Sequence, residues 1–208
     1  MIGQLVGFVG ASLAIIVVPG PDLVLLLRNA AAAGRRAATA TAAGIMVGNA
    51  VLASAAVVGL TALFRSSAVL YDVVRLAGAA YLVVLGVQSL VALVRRRGQS
   101  APVVAGERPD AGRAFRQGLV SNLLNPKVAV FYLALFPQFT LPGVPALVQN
   151  ALFAALFCLL ALCWYVLVLT LLARIERLLQ RGRIRSGISA VSGTVLVGLG
   201  ASLALTRA

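Results

Sequence analysis

Apolar positions in this chain gather into long continuous runs, with polar residues confined to the gaps between them and to two interruptions inside them. Runs of roughly eighteen or more residues recur about six times, the length a helix needs to cross a hydrocarbon core of about 30 Å. Barrel strands would alternate over short segments, so the pattern predicts membrane-spanning helices rather than strands. The expected helices cover residues 2 to about 33, 38–64, 69–94, 113–136, 146–172 and 186–205. Two of them carry a break. As one helix the first would measure about 48 Å, too long for a single perpendicular span. It is interrupted by Pro19-Gly20-Pro21, with Asp22 just past the interruption. Proline removes a backbone donor and clashes with the preceding turn, while glycine accepts unusual dihedrals. Pro21 also suits the first position of a new half-helix, placing Asp22 in its positively polarised first turn. The fourth helix is interrupted in the same way at Asn125-Pro126-Lys127, near its middle.

Composition agrees with the pattern. Of 208 residues, 61% are hydrophobic and 11% charged, and the mean hydropathy is +1.02. A soluble domain needs far more polar surface. The net charge of +13 does not signal nucleic acid, because the bases sit between apolar runs and are not interleaved with exposed aromatics. Arg28, Arg35 and Arg36 form one group, Arg95 to Arg97, Arg108, Arg113 and Arg116 a second, and Arg174 to Arg185 a third. This is the asymmetry of the positive-inside rule, and anionic lipid headgroups are the expected counter-charge. Histidine is absent, which removes the commonest metal ligand and proton shuttle. Cys158 and Cys163 lie five apart on one helix, too divergent for a disulfide, and are expected to be buried thiols. The N-terminal run lacks a basic n-region and a cleavage pattern and is expected to be a retained first helix.

If the three basic connections are cytoplasmic, both termini lie outside and the chain divides into two halves of opposite orientation. The first half is 1–98, the second 113–208, and 99–112 is a polar cytoplasmic loop rich in Pro, Gly and charge. Each half opens with a broken helix. The fold expected is all-α and polytopic, with six transmembrane helices arranged as two inverted three-helix repeats.

The two breaks are expected to face each other and form a small-molecule site near the bilayer midplane. Asp22 is the strongest candidate, since a carboxylate at that depth should meet a cavity, a partner or a substrate ammonium; the structural alternative is a helix cap. It is also the candidate proton-coupling group. Lys127, the only lysine of the chain, is either a counter-charge for Asp22 or a substrate carboxylate, or a structural ammonium on carbonyls freed by Pro126. On a regular helix it would point about 160° from Asn125, so both reach one site only if the backbone unwinds. Asn122 and Asn125 share a face with Tyr132 and could contact ligand or satisfy freed backbone groups. Pro19, Gly20, Pro21 and Pro126 shape the site, and Asn29 could extend a pathway from it. Asn49, beside the Gly44-x-x-x-Gly48 stretch that permits close helix approach, is either a ligand residue or interhelical glue. Asp72 with Arg75, and Tyr81, Trp164 and Tyr165, are expected to be structural.

Several of these stretches resemble the LysE/RhtB family of amino-acid exporters. They are Pro19-Gly20-Pro21-Asp22, Gly34-Arg35-Arg36, Gly44-x-x-x-Gly48-Asn49, the run from Arg75 through Gly78 and Tyr81 to Gly86, Phe115-x-x-Gly118-x-x-x-Asn122-x-x-Asn125-Pro126-Lys127, and Pro137-Gln138-Phe139. The resemblance runs from Pro19 to the last helix. It implies proton-driven efflux of a small zwitterion, an amino acid or close derivative, across the bacterial inner membrane. No cofactor, metal or enzymatic step is expected, and a homo-oligomer is admitted. The chain departs from the family at Ala37 and Ala38, where a second glycine often follows the arginines, and at Leu52, where many members carry histidine. Two other functions make different demands on the sequence. Export of an inorganic cation would call for more ligands at one depth. A membrane-embedded lipid-modifying enzyme would call for an activated nucleophile with a base, or a metal set.

Overall fold

Proline placement sets the ends of the first elements. In the computed structural model, which describes residues 2–66 and 108–172 together with positions 73, 76, 80, 83, 84, 87, 91, 174 and 194, helix α1 spans Ile2–Val17. It stops there because Pro19 and Pro21 remove the donors that would have continued its ladder. Helix α2 starts on Pro21 and runs to Ser66, with the Gly20 carbonyl accepting from Val24 N at 3.1 Å. Gly34 divides α2: its φ of 75° and ψ of −168° lie in a region open essentially to glycine alone. The expected basic turn over Gly34-Arg35-Arg36 is therefore narrower than the sequence suggested. One residue makes the reversal, and both arginines are already helical.

The two arms of α2, residues 21–33 and 35–66, fold back on each other. Leu23, Leu26 and Ala30 pack with Ala38 and Ala42, and Asn29 Nδ2 reaches Thr41 Oγ1 across the reversal at 2.9 Å. Helix α3, Ala111–Leu123, is capped by Asp110, whose Oδ1 accepts from Arg113 N at 2.7 Å. It begins two residues inside the stretch expected to be loop. α3 crosses the longer arm of α2 at glycines. A Cβ on Gly44 would overlap the Phe115 carbonyl oxygen, and one on Gly118 the Thr41 carbonyl oxygen. The close approach expected of Gly44 and Gly48 is thus matched by a glycine on the partner helix.

After a break at Leu124 and Asn125, α4 spans Pro126–Leu135 and runs into a 3₁₀ turn, Phe136–Gln138. A loop turning at Gly143, with φ of 78°, leads to α5, Ala146–Thr170. Aromatic rings of α1, α4 and α5 form the larger apolar cluster, with Phe8 stacked on Phe153 at 4.5 Å and Phe131 against Phe157 at 4.4 Å. A smaller cluster joins the α2 arms to Val168, Trp164 and Tyr165.

Polarity is distributed inside-out. Asp22, Asn29, Thr41, Asn49, Asn122, Asn125 and Asn150 are buried, while Val6, Val24, Val58, Leu152 and Leu159 are more than half exposed. A protein in water would reverse this. In lipid, outward valine and leucine cost nothing, and polar side chains serve as contacts between helices. Residues Pro21–Ala62 and Ala146–Thr170 form helices long and apolar enough to cross a bilayer. The chain is helical throughout its described elements. The expected third and sixth helices lie outside the described residues, apart from isolated helical positions. Asp72, Arg75, Gly78, Tyr81 and Gly86 also lie outside them, as do residues 99–107 of the expected loop.

Candidate functional site

The two helix breaks meet, and each supplies what the other lacks. Asp22, 5% exposed, enters from the first turn of α2. Its Oδ1 accepts from Ser121 Oγ at 2.6 Å, and its Oδ2 from Asn122 Nδ2 at 2.9 Å and Asn125 Nδ2 at 2.8 Å. All three donors come from the end of α3 and the break that follows. Asn125 works in two directions, because its Oδ1 also caps α4 by accepting from Lys127 N at 3.1 Å. Its backbone is extended, with φ of −79° and ψ of 103°. This unwinding removes the angular conflict of a regular helix and lets Asn125 and Lys127 reach the same place.

Lys127 does not form an ion pair with Asp22. Its Nζ donates to the Val18 carbonyl at 2.8 Å, an acceptor left open where α1 ends. The ammonium thus satisfies a carbonyl freed by the first break, not one freed by Pro126. Gly20 makes room for it, since a Cβ there would stand 3.3 Å from Nζ. Asp22 and Lys127 line the same cavity, together with Gly20, Asn49, Asn122 and Asn125. Its apolar wall includes Ile15, Phe131, Phe157 and Tyr165. The cavity measures about 40 Å³, enough for water and far below the ~300 Å³ of small ligand pockets.

Deeper in the cavity wall, Tyr132 donates its hydroxyl to Asn49 Oδ1 at 2.9 Å, and Asn49 Nδ2 lies 3.6 Å from Cys158 Sγ. One buried acceptor, Asn122 Oδ1, has no hydrogen-bond partner; it lies 3.1 Å from where a Gly48 Cβ would stand. Pro19, Pro21 and Pro126 stay outside the cavity lining and act through the backbone, by ending and starting helices. Asn29 belongs to a separate contact, with Nδ2 donating to Thr41 and to Gln117 Oε1 at 3.0 Å. The expectation of two buried thiols needs correction: Cys158 is half-buried, but Cys163 is exposed on the outer face of α5. No group of residues able to hold a metal ion occurs among the described residues.

Ser121 was missed in the sequence. Its spacing offered a signal, since it stands four residues before Asn125 and would share a face with it on an unbroken helix. Tyr165 was read as packing, yet it also lines the cavity.

Residues 13–207 match the LysE type translocator family. The chain belongs to that family. This LysE-type translocator is 30% identical to a threonine efflux protein of Escherichia coli, over 91% of both chains. It is 34% identical to a leucine efflux protein of Salmonella typhimurium over 60% of this chain and 58% of that one. An uncharacterized membrane protein of Bacillus subtilis is 25% identical over 98% of this chain and 99% of its own. No solved structure matches. Within this translocator, three of the stretches that carried the family resemblance, Pro19 to Asp22, Asn49 and Asn122 to Lys127, converge on the cavity.

Proposed function

We propose that this LysE-type translocator is a secondary active exporter of amino acids or close derivatives in the bacterial inner membrane. The observation that carries the proposal is the pairing of the two breaks around Asp22. A carboxylate is buried between helices with three neutral donors on it, and the only lysine of the chain lines the same cavity without neutralising it directly. One negative and one positive group in one cavity suit a zwitterion, which brings both charges reversed. In this reading Asp22 receives the substrate ammonium, and the half-helix N-terminus at Pro21 with Lys127 receives its carboxylate. Names of the relatives, threonine and leucine efflux proteins, support an amino-acid cargo.

The small volume of the cavity implies movement. Admitting an amino acid requires the breaks to separate, and alternating access supplies that separation by rocking 1–98 against 113–208 as inverted halves around the site, with 99–112 as the cytoplasmic connection. Asp22 serves as the proton-coupling group, binding the substrate ammonium and a proton in turn. Turnover of this kind transports without covalent chemistry, and so the protein is not an enzyme.

The test is counterflow and proton-driven efflux of labelled threonine and leucine in proteoliposomes. Asp22→Asn is expected to lower both by about 10- to 100-fold, the loss of a charge-assisted contact. Wild-type transport by Asp22→Asn would remove Asp22 from the mechanism, and absence of exchange for every zwitterion tried would remove the proposed cargo.

A further inference from the structure

A second cavity lies outside the Asp22 site. A groove of about 650 Å³ runs along the outer face of the molecule between the first arm of α2 and α3. Its walls are Val24, Leu25 and Val120, with Val24 59% and Val120 51% exposed, so it opens away from the protein interior. Its inner end is formed by Pro21 and Ser121 and its other end by Arg28 and Arg116, both exposed.

The chemistry of this lining is narrow. Of the neutral polar side chains that border it, Ser121 donates to Asp22 and Gln117 accepts from Asn29 through Oε1. No carboxylate lines the groove, so it offers nothing to an ammonium group. What remains is an apolar trough ending in two guanidinium groups. Such a surface suits an anionic amphiphile and does not suit a zwitterion.

Depth identifies the amphiphile. Arg28 lies seven residues beyond Pro21 and Arg116 five residues before Ser121, about 10 Å and 7 Å along their helices. Both arginines therefore stand on the same side of the helix breaks, toward the basic connections that the positive-inside rule assigns to the cytoplasm. Their long stems carry the charge on toward the headgroup level, while the valine and leucine walls follow the acyl region down to the breaks. Guanidinium groups bind phosphate through paired N–H donors, and basic pockets between membrane helices on the cytoplasmic side are lipid-headgroup sites.

We propose that this groove is a binding site for an anionic phospholipid of the cytoplasmic leaflet, with its phosphate on Arg28 and Arg116 and an acyl chain along Val24, Leu25 and Val120. The proposal depends on membrane embedding and not on the transport reading.

Native mass spectrometry of the purified full chain, with added phosphatidylglycerol or phosphatidylcholine, tests it. The wild type is expected to retain one phosphatidylglycerol with a preference of about thirtyfold over phosphatidylcholine, two arginine contributions of the usual size near a membrane surface. Arg28→Gln combined with Arg116→Gln should bring the preference close to parity. If that double variant does not purify as a single species, each single variant should lower the preference about fivefold. Val24→Trp fills the trough and leaves both arginines, so it should reduce retention while a purely electrostatic attraction would not notice it. Unchanged preference in the arginine variants, or unchanged retention in Val24→Trp, would overturn the site. So would efficient disulfide crosslinking of Val24→Cys between two copies with no lipid retained, because a second chain would then cover the groove.

Discussion

At the scale of residues, the site is organised by side chains that carry two duties at once. Asn125 is the clearest case: its oxygen caps α4 and its amide holds Asp22. The duties can be separated. Serine at this position keeps a capping oxygen but is too short to span to Asp22, whereas alanine loses both functions. Asn125→Ser is expected to hold stability within about 1 kcal/mol of wild type and to impair transport. Asn125→Ala should impair transport equally and lower stability further, by about 1 kcal/mol for the lost cap. Thermal unfolding in detergent, read beside proteoliposome efflux, checks the split, and equal stability of the two variants would contradict the capping role. Much of this was legible beforehand, since Asp22, Asn122, Asn125 and Lys127 stand out as polar residues within apolar runs. The partner of Lys127 was not. A backbone carbonyl such as Val18 O is invisible to any reading of side-chain types, and only the geometry of the first break shows that it is free.

At the scale of elements, prolines and glycines set the architecture, and they divide into two kinds. Pro19, Pro21 and Pro126 act within their own segments, so the sequence announces the breaks directly. Gly44 and Gly118 act between segments. The Gly44-x-x-x-Gly48 spacing marks one side of a close crossing, but a periodic pattern on one helix does not say which helix comes near it. Gly118 on α3 answers that, because each of these two glycines faces a backbone carbonyl of the other helix. Gly118→Ala must push α3 and the longer arm of α2 apart, at an expected cost of about 1–3 kcal/mol. Gly10 on α1 is the control, with nothing within 4 Å of its Cβ position, and Gly10→Ala should be neutral or stabilising by up to about 1 kcal/mol. Unfolding temperatures in one detergent, lower for the first variant and unchanged or higher for the second, would establish that contact and not glycine content matters. Because the α3 crossing also carries Ser121 and Asn122 to Asp22, Gly118→Ala should lose transport more steeply than its stability alone implies.

At the scale of the whole molecule, interhelical polar contacts fall into levels along the longer arm of α2. Thr41 marks one level, with Asn29 and Gln117. Asn49 marks the next, bonded to Tyr132 and beside Cys158 in the wall of the Asp22 cavity. Thr61 marks the last, accepting from Asn150 Nδ2 at 3.2 Å. Twenty residues separate Thr41 from Thr61, about 30 Å of helix, which equals the hydrocarbon thickness. In the topology proposed above, contacts at the two ends would stand at the two edges of the bilayer, with the cavity between them. Hydropathy fixed the presence of spans but could not assign these depths, because asparagine and threonine in apolar runs look alike wherever they stand. The levels make a prediction about sidedness. Arg36 and Thr140 are both exposed, one beside the Gly34 reversal and the other in the loop before α5. In a background free of Cys158 and Cys163, Arg36→Cys should react with a membrane-impermeant maleimide only in inverted vesicles, and Thr140→Cys only in intact spheroplasts. Reaction of both from one side would mean that residues 35–66 do not cross the membrane. The cavity would then lie at an interface, where a buried carboxylate needs no cargo to explain it. Opposite sidedness places Asp22 more than 10 Å from either surface, at a depth where a substrate or proton must be handed across.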